Sequence, residues 1–359
     1  MSSIKRNIEI ALRLLLALLF IFSGGAKSID CVGTSLYVAS HLEALHLGAL
    51  GGAVELFAVL LGGAELALGI LLLLNIMPRV TRFAAMAMLA VFTLVTLLNM
   101  TLFPLEDCGC FGDVITLSTE ATFLKNIVLL PMSVALWLMC RREKSFNLRH
   151  ALYGVLAICA SVGMNIYTLH HLPLIDLLPY SVGTNLYKEV NAEREAISRA
   201  TRTELIFRGV DDGAEYRFAA DCMECWMDEN LEYEGVESVV DDSVEPRYED
   251  FVLIDSDGVD RALELISHDG ASLWLSILSV DVLEEYGNLD YLVAQLSGLY
   301  PTYDVSVLSA VAMNYENSDV AIYGADSALL RTMIRAKVGV MLLRDGVVEA
   351  KYNIRDLDL

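Results

Sequence analysis

Long runs of apolar residues dominate the first half of the chain, and short polar segments separate them. About 20 residues of apolar helix cross the roughly 30 Å of hydrocarbon in a bilayer. Five runs reach this length, near residues 8–28, 52–76, 83–103, 122–140 and 150–170. The first run is longer than the apolar core of a usual signal peptide, so we predict that it is retained as the first of about five transmembrane helices.

The pattern changes after about residue 186, where short apolar stretches alternate with polar ones. Residues 204–208 and 215–218 flank Asp211-Asp212-Gly213, which predicts a β-hairpin with an Asp-Gly turn. Helices are expected at 288–299 and 327–336, and further strands at 251–254, 272–278, 304–308, 320–323, 338–343 and 347–352. The sequence therefore predicts an α-helical membrane bundle followed by an α/β soluble domain.

The charges are distributed unevenly between the two halves. Residues 1–179 hold 11 Lys or Arg and 11 Asp or Glu, so the rest of the chain carries the whole formal net charge of −22. A surface this acidic argues against nucleic acid as a partner, because phosphates would be repelled. It also disfavours close docking of the second half on anionic lipid.

Cations between the apolar runs predict the orientation in the bilayer. They fall on the side of the N-terminus, at Lys5, Arg6, Arg79, Arg82, Arg141, Arg142, Lys144 and Arg149. By the positive-inside rule this side is cytoplasmic. We therefore expect a multi-pass protein of the bacterial inner membrane, surrounded by the lipid bilayer, with a cytoplasmic N-terminus and a periplasmic C-terminal domain.

The clearest candidate for chemistry is the polar segment between the third and fourth runs, Asp107-Cys108-Gly109-Cys110-Phe111-Gly112-Asp113. Two thiols this close can cycle between dithiol and disulfide, and the glycine between them bends easily into the small ring. A disulfide across so short a span is expected to be strained and therefore oxidising. The alternative is a turn with two small buried side chains.

Polar residues within or near the apolar runs are candidates for supporting roles. Lys27 and Lys125 would lower the pKa of a nearby thiol, or would extend to the membrane interface. Glu65, in the middle of the second run, would carry protons, or would be a protonated acid hydrogen-bonded to a neighbouring helix. Cys31 shares a helix face with Lys27 if the first helix continues that far, and it would compete for Cys108 or Cys110.

A second cysteine pair, Cys222-Met223-Glu224-Cys225, follows the predicted hairpin and precedes an acidic run that ends at Asp250. A Cys-x-x-Cys motif is a redox signature in a βαβ context, which is missing here. We favour a stabilising disulfide or unreactive thiols, with a redox pair as the alternative. The histidine spacings match no metal-ligand pattern, so no metal site is predicted.

The first 140 residues resemble the DoxX/MauE group of redox-associated membrane proteins. The resemblance rests on Phe22-Ser23-Gly24, Glu65-Leu66-Ala67-Leu68-Gly69, Cys108-Gly109-Cys110-Phe111-Gly112 and Thr122-Phe123-Leu124-Lys125-Asn126. It implies a helical bundle that serves periplasmic thiol–disulfide or quinone-linked chemistry, with a membrane quinone as the cofactor it allows. It implies catalytic roles for Cys108 and Cys110 and supporting roles for Lys27, Asp30, Glu65, Asp113, Lys125 and Asn126. Relatives often carry a proline at the position of Cys31, which leaves the role of this residue open.

The last 110 residues resemble the tail of a thioredoxin-like domain of the kind found fused to DoxX-type proteins, through Leu329–Arg335 and Gly339–Gly346. The position of the usual redox site holds Ser279-Val280-Asp281-Val282, without cysteine, and Val338 replaces the expected cis-proline. The resemblance implies that the fold is kept and the thioredoxin activity is lost. The expected domains are a DoxX/MauE-like part (1–145), a fifth transmembrane helix (146–175), a hairpin with an acidic connector (176–250) and the thioredoxin-like domain (251–359).

Two functions fit these features. In the first, Cys108 and Cys110 pass electrons between an outer-face partner and either a membrane quinone or another disulfide. In the second, the chain is a non-enzymatic membrane anchor whose degenerate thioredoxin-like domain binds a periplasmic protein. A transporter is disfavoured because the sequence shows no internal repeat.

Overall fold

The structure, a computed structural model, describes residues 3–102, 117–139, 148–240, 247–248, 250–267, 270–311 and 320–358. The chain divides into two compact units. Met1–Leu178 with Tyr352–Asp358 form the membrane unit, and Pro179–Lys351 form the sheet unit. The predicted loop with Cys108, Cys110 and Asp113 lies outside the described residues.

Helices account for most of the described part of the membrane unit. They are α1 (Ser3–Ile29), α2 (Cys31–Ala44), α3 (Val54–Leu73), α4 (Pro78–Thr101), α5 (Thr119–Leu138) and α6 (Leu148–His170), and a short 3-10 helix at Gly48–Ala53 leads into α3. Among the described residues, five segments are long and apolar enough to cross a membrane: α1, the 3-10 helix with α3, α4, α5 and α6. The prediction of a multi-pass protein with five apolar spans is confirmed.

Helix α2 was not predicted, and it changes the environment of Cys31. The first span ends at Ile29, and the carboxylate of Asp30 accepts a hydrogen bond from the backbone N–H of Gly33 at 2.7 Å. An Asp in this position caps the start of a helix, so the chain begins a new helix at Cys31. The condition under which Cys31 would share a helix face with Lys27 is therefore not met.

Three helix ends meet at the buried side chain of Arg82 in α4. Its Nη2 donates to the carboxylate of Glu9 in α1 at 2.7 Å, and its Nη1 donates to the carbonyl of Leu136 at the end of α5 at 3.2 Å. The starts of α1 and α4 and the end of α5 thus lie at one end of the bundle. This agrees with the expected grouping of the polar segments, while the side of the membrane that they face stays a prediction.

Helices α1 and α3 pack with their backbones in contact. A Cβ atom on Gly24 would lie 2.2 Å from the backbone nitrogen of Leu66, and one on Gly69 would lie 2.6 Å from that of Ile21. Small residues at helix crossings in membranes allow this close approach. The consequence is that polar side chains on the facing surfaces of α1 and α3 lie within hydrogen-bonding distance of one another.

The larger part of the sheet unit is a five-stranded sheet. Its strands are β4 (Ala271–Ile277), β5 (Asp304–Ser309), β6 (Ala321–Gly324), β7 (Val338–Arg344) and β8 (Val347–Asn353), in the order β6-β5-β4-β7-β8. Strands β4, β5 and β6 are parallel, and β7 runs antiparallel to β4. The associated helices are α8 (Ala262–Ile266), α9 (Val280–Glu285), α10 (Leu289–Leu299) and α11 (Ser327–Met333).

Most of the predicted elements in this sheet are confirmed, but one strand is wrong. Residues 251–254 form no strand, because Ile254 makes only isolated bridges to Asp260 and Gly324. Phe251 and Leu253 are instead buried in the core with Trp274. The apolar residues of this segment therefore pack in the core without forming a strand of the sheet.

The described residues of the predicted hairpin and acidic connector from Pro179 onward belong to the sheet unit. It contains α7 (Leu186–Ala200) and a three-stranded antiparallel sheet of β1 (Thr201–Gly209), β2 (Glu215–Ala219) and β3 (Leu231–Val240), in the order β2-β1-β3. The hairpin of β1 and β2 was predicted, whereas α7 and β3 were missed. The acidic residues of β3 alternate with Leu231, Tyr233 and Val236. This alternation is typical of a strand, but it was overlooked because the segment is rich in acidic residues.

We predict that Gly24→Ala destabilises the membrane unit, because the added methyl group would press on the backbone of α3. Overpacking of this kind typically costs about 1–3 kcal/mol. Gly25→Ala is the matched control, because a Cβ at that position meets no described atom within 4 Å. Thermal unfolding of the two variants in detergent would test the prediction, and equal melting temperatures would contradict it.

Candidate functional site

An ion pair lies inside the membrane unit, between α1 and α3. The ammonium of Lys27 is 3.0 Å from each carboxylate oxygen of Glu65, and the two side chains are 5% and 0% exposed. Charged groups are costly at membrane depth and usually mark a functional site. The structure brings together two residues that the sequence had suggested only separately, and it excludes the interpretation that Lys27 extends to the membrane interface.

Ser23 completes this cluster, which we call the polar centre (Ser23, Lys27 and Glu65). Ser23 and Lys27 are four residues apart and therefore share one face of α1. The Ser23 hydroxyl donates to Oε2 of Glu65 and accepts from the Lys27 ammonium at 3.0 Å. Oε1 of Glu65 lies beside the ammonium, but it accepts no well-aligned hydrogen bond from any residue that the structure describes. Both carboxylate oxygens of Glu65 thus lie 3.0 Å from a single compensating charge.

A second set of polar contacts fixes α1 against α6 next to the polar centre. The Asn165 side chain donates to the hydroxyl of Ser28 at 2.7 Å, and the Thr168 hydroxyl donates to the Ser28 carbonyl at 3.0 Å. Gly62 of α3 makes room for Asn165, because a Cβ there would lie 2.4 Å from Oδ1 of Asn165. These contacts hold the C-terminal part of α1, and with it Lys27, in place.

A cavity of about 300 Å³ adjoins the polar centre. Lys27 and Glu65 line it at one place, and the rest of the wall is largely apolar and comes from α2, α3 and α4. Two lining residues, Phe57 and Val91, are 39% and 56% exposed, so the cavity reaches the outer surface of the bundle. In a membrane this surface faces lipid, so the space beside the polar centre is open to apolar molecules, while the side chains of Lys27 and Glu65 are 5% and 0% exposed.

The wall formed by α2 contains His41, whose two ring nitrogens are both engaged. Nδ1 lies 2.7 Å from the carbonyl oxygen of Tyr37, and Nε2 lies 2.9 Å from the side-chain nitrogen of Asn99 in α4. A carbonyl only accepts, so Nδ1 carries a proton and donates to Tyr37. His41 is therefore a hydrogen-bonded bridge between α2 and α4, a role that its spacing in the sequence did not suggest.

The remaining predicted site residues have separate locations. Asp30 caps α2, and Asn126 of α5 is buried and donates to the hydroxyl of Thr96 at 3.5 Å. Lys125 is half-buried on the same helix. Sequence reasoning missed Ser23 and His41 as parts of this region. The i, i+4 spacing of Ser23 and Lys27 was the one available signal.

Cys31 is a poor candidate for thiol exchange. It is fully buried in α2 against Ala58 and Val59. Burial, followed by the negative charges of Asp30 and Glu55, raises the pKa of the Cys31 thiol to about 12. Because the thiolate is the reactive form, this disfavours the expected competition of Cys31 for Cys108 or Cys110.

In the sheet unit, Cys222 and Cys225 form a disulfide. Cys225 is buried with Leu205 and Phe207, while Cys222 is only partly covered. An incoming thiolate would reach Cys222 more easily and would expel the Cys225 thiolate into apolar surroundings, which is unfavourable. This arrangement supports the stabilising role, and a redox role for the pair stays untested.

We predict that removing one partner of the polar centre is more harmful than removing both. Breaking a buried ion pair leaves an uncompensated charge and costs about 3–5 kcal/mol, whereas replacing both partners by apolar groups is often close to neutral. Lys27→Met and Glu65→Leu should therefore each lower the free energy of unfolding more than the double variant does.

Equilibrium unfolding in mixtures of detergent and sodium dodecyl sulfate would measure these changes. Glu195→Ala and Arg199→Ala provide the comparison, because they break an exposed pair on α7, for which about 0.5 kcal/mol or less is expected. Additive effects of Lys27→Met and Glu65→Leu would show that the two side chains are not coupled.

Residues 5–139 match the family model of the methylamine utilisation protein MauE. No curated protein and no solved structure matches the chain, so the resemblance to DoxX and to thioredoxin-like domains stays a prediction. The polar centre and every residue that lines the adjoining cavity fall within the matched segment. Residues 5–139 of the membrane unit are thus similar to MauE.

Proposed function

We propose that the protein is a membrane redox protein of the MauE type that exchanges electrons with the thiols of a partner through Cys108 and Cys110. Both cysteines fall within the segment that matches the MauE family. The observation that carries the proposal is the buried polar centre beside a cavity that reaches the lipid-facing surface. A passive anchor would have no need of a buried ion pair and a cavity at this depth.

The loop disulfide oxidises a dithiol of the partner in two steps of thiol–disulfide exchange. A thiolate of the partner attacks one sulfur of the Cys108–Cys110 disulfide and expels the other as a thiolate, which takes up a proton. The second thiolate of the partner then displaces the remaining loop sulfur, so the partner leaves as a disulfide and the loop is reduced. To restore the loop, two electrons and two protons pass to a membrane quinone or to another disulfide.

The supporting residues divide into two groups under this proposal. Lys125 is the cation assigned to stabilise a loop thiolate, because Lys27 contacts Glu65 and Ser23 in the polar centre. Asp30 and Asn126 hold α2 and α5 in place through their hydrogen bonds. Asp113 keeps the supporting role that the family resemblance implies.

We also propose the inner membrane of a bacterium as the location, with the loop and the sheet unit on the periplasmic side. The positive-inside rule supports this orientation, because the cations group with the N-terminus. The disulfide between Cys222 and Cys225 supports it as well, since disulfides persist in oxidising compartments.

A second candidate function is a non-enzymatic anchor whose sheet unit binds a periplasmic protein. Residues 251–359 contain no cysteine, and β4 is followed by Ser279-Val280-Asp281-Val282. A thioredoxin-like domain of this composition would bind a partner without exchanging disulfides with it. The two functions differ in whether Cys108 and Cys110 are needed.

We predict that the loop disulfide opens at lower concentrations of reductant than the Cys222–Cys225 disulfide does. Maleimide mass-tagging of intact membranes across a dithiothreitol series measures both pairs in one chain. A difference of about tenfold or more in the reductant needed is expected, which corresponds to about 30 mV or more. Cys108→Ser and Cys222→Ser variants identify the tagged pairs.

Two outcomes would contradict the proposed redox function. If Cys108 and Cys110 remain oxidised at reductant levels that open Cys222–Cys225, the loop disulfide is structural and the redox function fails. If a Cys108→Ser, Cys110→Ser double variant keeps the disulfide content of the partner proteins at the wild-type level, the anchor function replaces it.

A further inference from the structure

The small sheet of β1, β2 and β3 has two unlike faces. On one face, Arg208 and Arg217 form ion pairs with glutamates of β3. Side chains alternate between the faces along a strand, so Phe207 of β1 lies on the other face, together with Tyr216 and Tyr233, which are opposite it in the register. The first face is typical of a surface in water, whereas the second is apolar and needs a cover.

The loop between β2 and β3 covers the centre of this apolar face. Cys225 is buried there with Phe207, and the disulfide to Cys222 closes a short turn within the loop. The ring of Trp226 packs on Phe207 with the ring centroids 5.3 Å apart, and it lies 4.9 Å from the ring of Tyr233. The sheet thus holds the indole in place, so a partner that binds it would order little that is mobile.

The same loop leaves large apolar side chains exposed. Met223 is 74% exposed, Trp226 57% and Met227 79%, and the neighbouring Tyr233 is 45% exposed. We call these four residues the apolar patch. Aromatic residues and Met are enriched at the centres of protein interfaces, and Trp and Tyr are frequent among the residues that contribute most to binding. Apolar side chains clustered in this way indicate an interaction surface.

The loop around the apolar patch carries only negative charge. Residues 220–230 contain no Lys or Arg, and their four acidic residues are all exposed: Asp221, Glu224, Asp228 and Glu229. Complementary charge on a partner speeds its encounter with such a surface and selects against partners of the wrong sign. The face of the Trp226 indole also attracts a guanidinium or ammonium group. The patch therefore favours a partner that combines apolar side chains with cations.

Other occupants are less complementary to this surface. An anionic lipid surface would be repelled by the loop, and two copies of the chain in a symmetric contact would bring two acidic loops together. Segments 103–116, 241–246 and 312–319 of this chain contain acidic residues and no Lys or Arg. The basic segment 140–147 belongs to the cytoplasmic side in the proposed orientation. These considerations leave a separate protein as the partner.

We propose that the apolar patch is the docking site for a segment of another protein in which basic residues flank large apolar side chains. The apolar side chains of this segment pack on Trp226 and the two methionines. Its basic side chains bind the acidic residues of the loop and the face of the indole. The site extends the anchor function and does not involve thiol exchange at Cys108 and Cys110, so its failure would leave the proposed redox function unaffected.

Random linear peptides displayed on phage test the chemistry of the partner. The full-length chain in phosphatidylcholine nanodiscs is the target, and empty nanodiscs first remove peptides that bind lipid. We expect the selected peptides to be enriched in both basic and large apolar residues relative to the unselected library. Selection of acidic or uncharged peptides, or the absence of any enrichment, would overturn the proposal.

Four variants of the full-length chain test the location of the site. Trp226→Ala should weaken binding of the most enriched peptide at least about tenfold, as expected for a central aromatic residue. Glu224→Lys should weaken it about threefold or more, because an exposed charge contributes less. Tyr291→Ala and Asp257→Lys are the matched controls, since they change an exposed ring and an exposed acid of the sheet unit outside the loop. Biolayer interferometry measures the affinities, and an equal loss in the controls would contradict the assigned location.

Hydroxyl-radical footprinting of the wild-type chain does not depend on the folding of any variant. The same peptide should protect Met223, Trp226 and Met227 from oxidation and leave Tyr291 unchanged. Phosphatidylglycerol vesicles replace the peptide in a second sample, and a concentration series of the chain alone forms a third. Protection by the vesicles would assign the patch to a membrane surface, and protection that increases with the concentration of the chain would assign it to a second copy. Either result would overturn the proposal.

Discussion

The contact of α1 with α3 across the Lys27–Glu65 ion pair is the constraint on which the membrane unit depends. An ammonium and a carboxylate are tolerated among apolar helices only if each has its partner at hydrogen-bonding distance. The two side chains reach this distance where the backbones of α1 and α3 are in contact. Gly24 and Gly69 permit that contact, because they have no Cβ atom. The glycines and the ion pair thus lie in the same helix contact.

The cavity follows from how the other helices are arranged around this contact. Helix α2 packs against α3, and His41 joins it to Asn99 of α4. The bridge from α2 to α4 covers one side of the space in front of Glu65, while Phe57 and Val91 leave the lipid-facing side accessible. The polar centre is therefore enclosed by protein, and a largely apolar space that opens toward lipid lies beside it.

Local pattern was sufficient for the elements whose signal lies in a short stretch of sequence. The five apolar spans could be predicted because hydrocarbon thickness sets their length, and the hairpin of β1 and β2 because an Asp-Gly turn separates its two strands. The pairing of Lys27 with Glu65 could not be predicted, since it joins residues 38 apart through a helix crossing. Helix α2 was missed because a single capping residue, Asp30, is all that separates it from the preceding helix. Strand β3 was missed because its glutamates resemble those of a solvent-exposed loop. The apolar residues 251–254 were assigned to a strand although their partners are core side chains, which only the tertiary structure reveals.

The contacts of Arg82 have a consequence for the order in which the membrane unit matures during synthesis. Its guanidinium reaches back 73 residues to Glu9 and forward 54 residues to Leu136. When α4 leaves the ribosome, the first acceptor already exists, but the carbonyl at the end of α5 does not. Arg82 can therefore join α1 to α4 through Glu9 first, and it gains its hydrogen bond to Leu136 after α5 is synthesised. A chain that ends before α5 would lack the Leu136 carbonyl, so Nη1 of Arg82 gains this acceptor only when α5 is added.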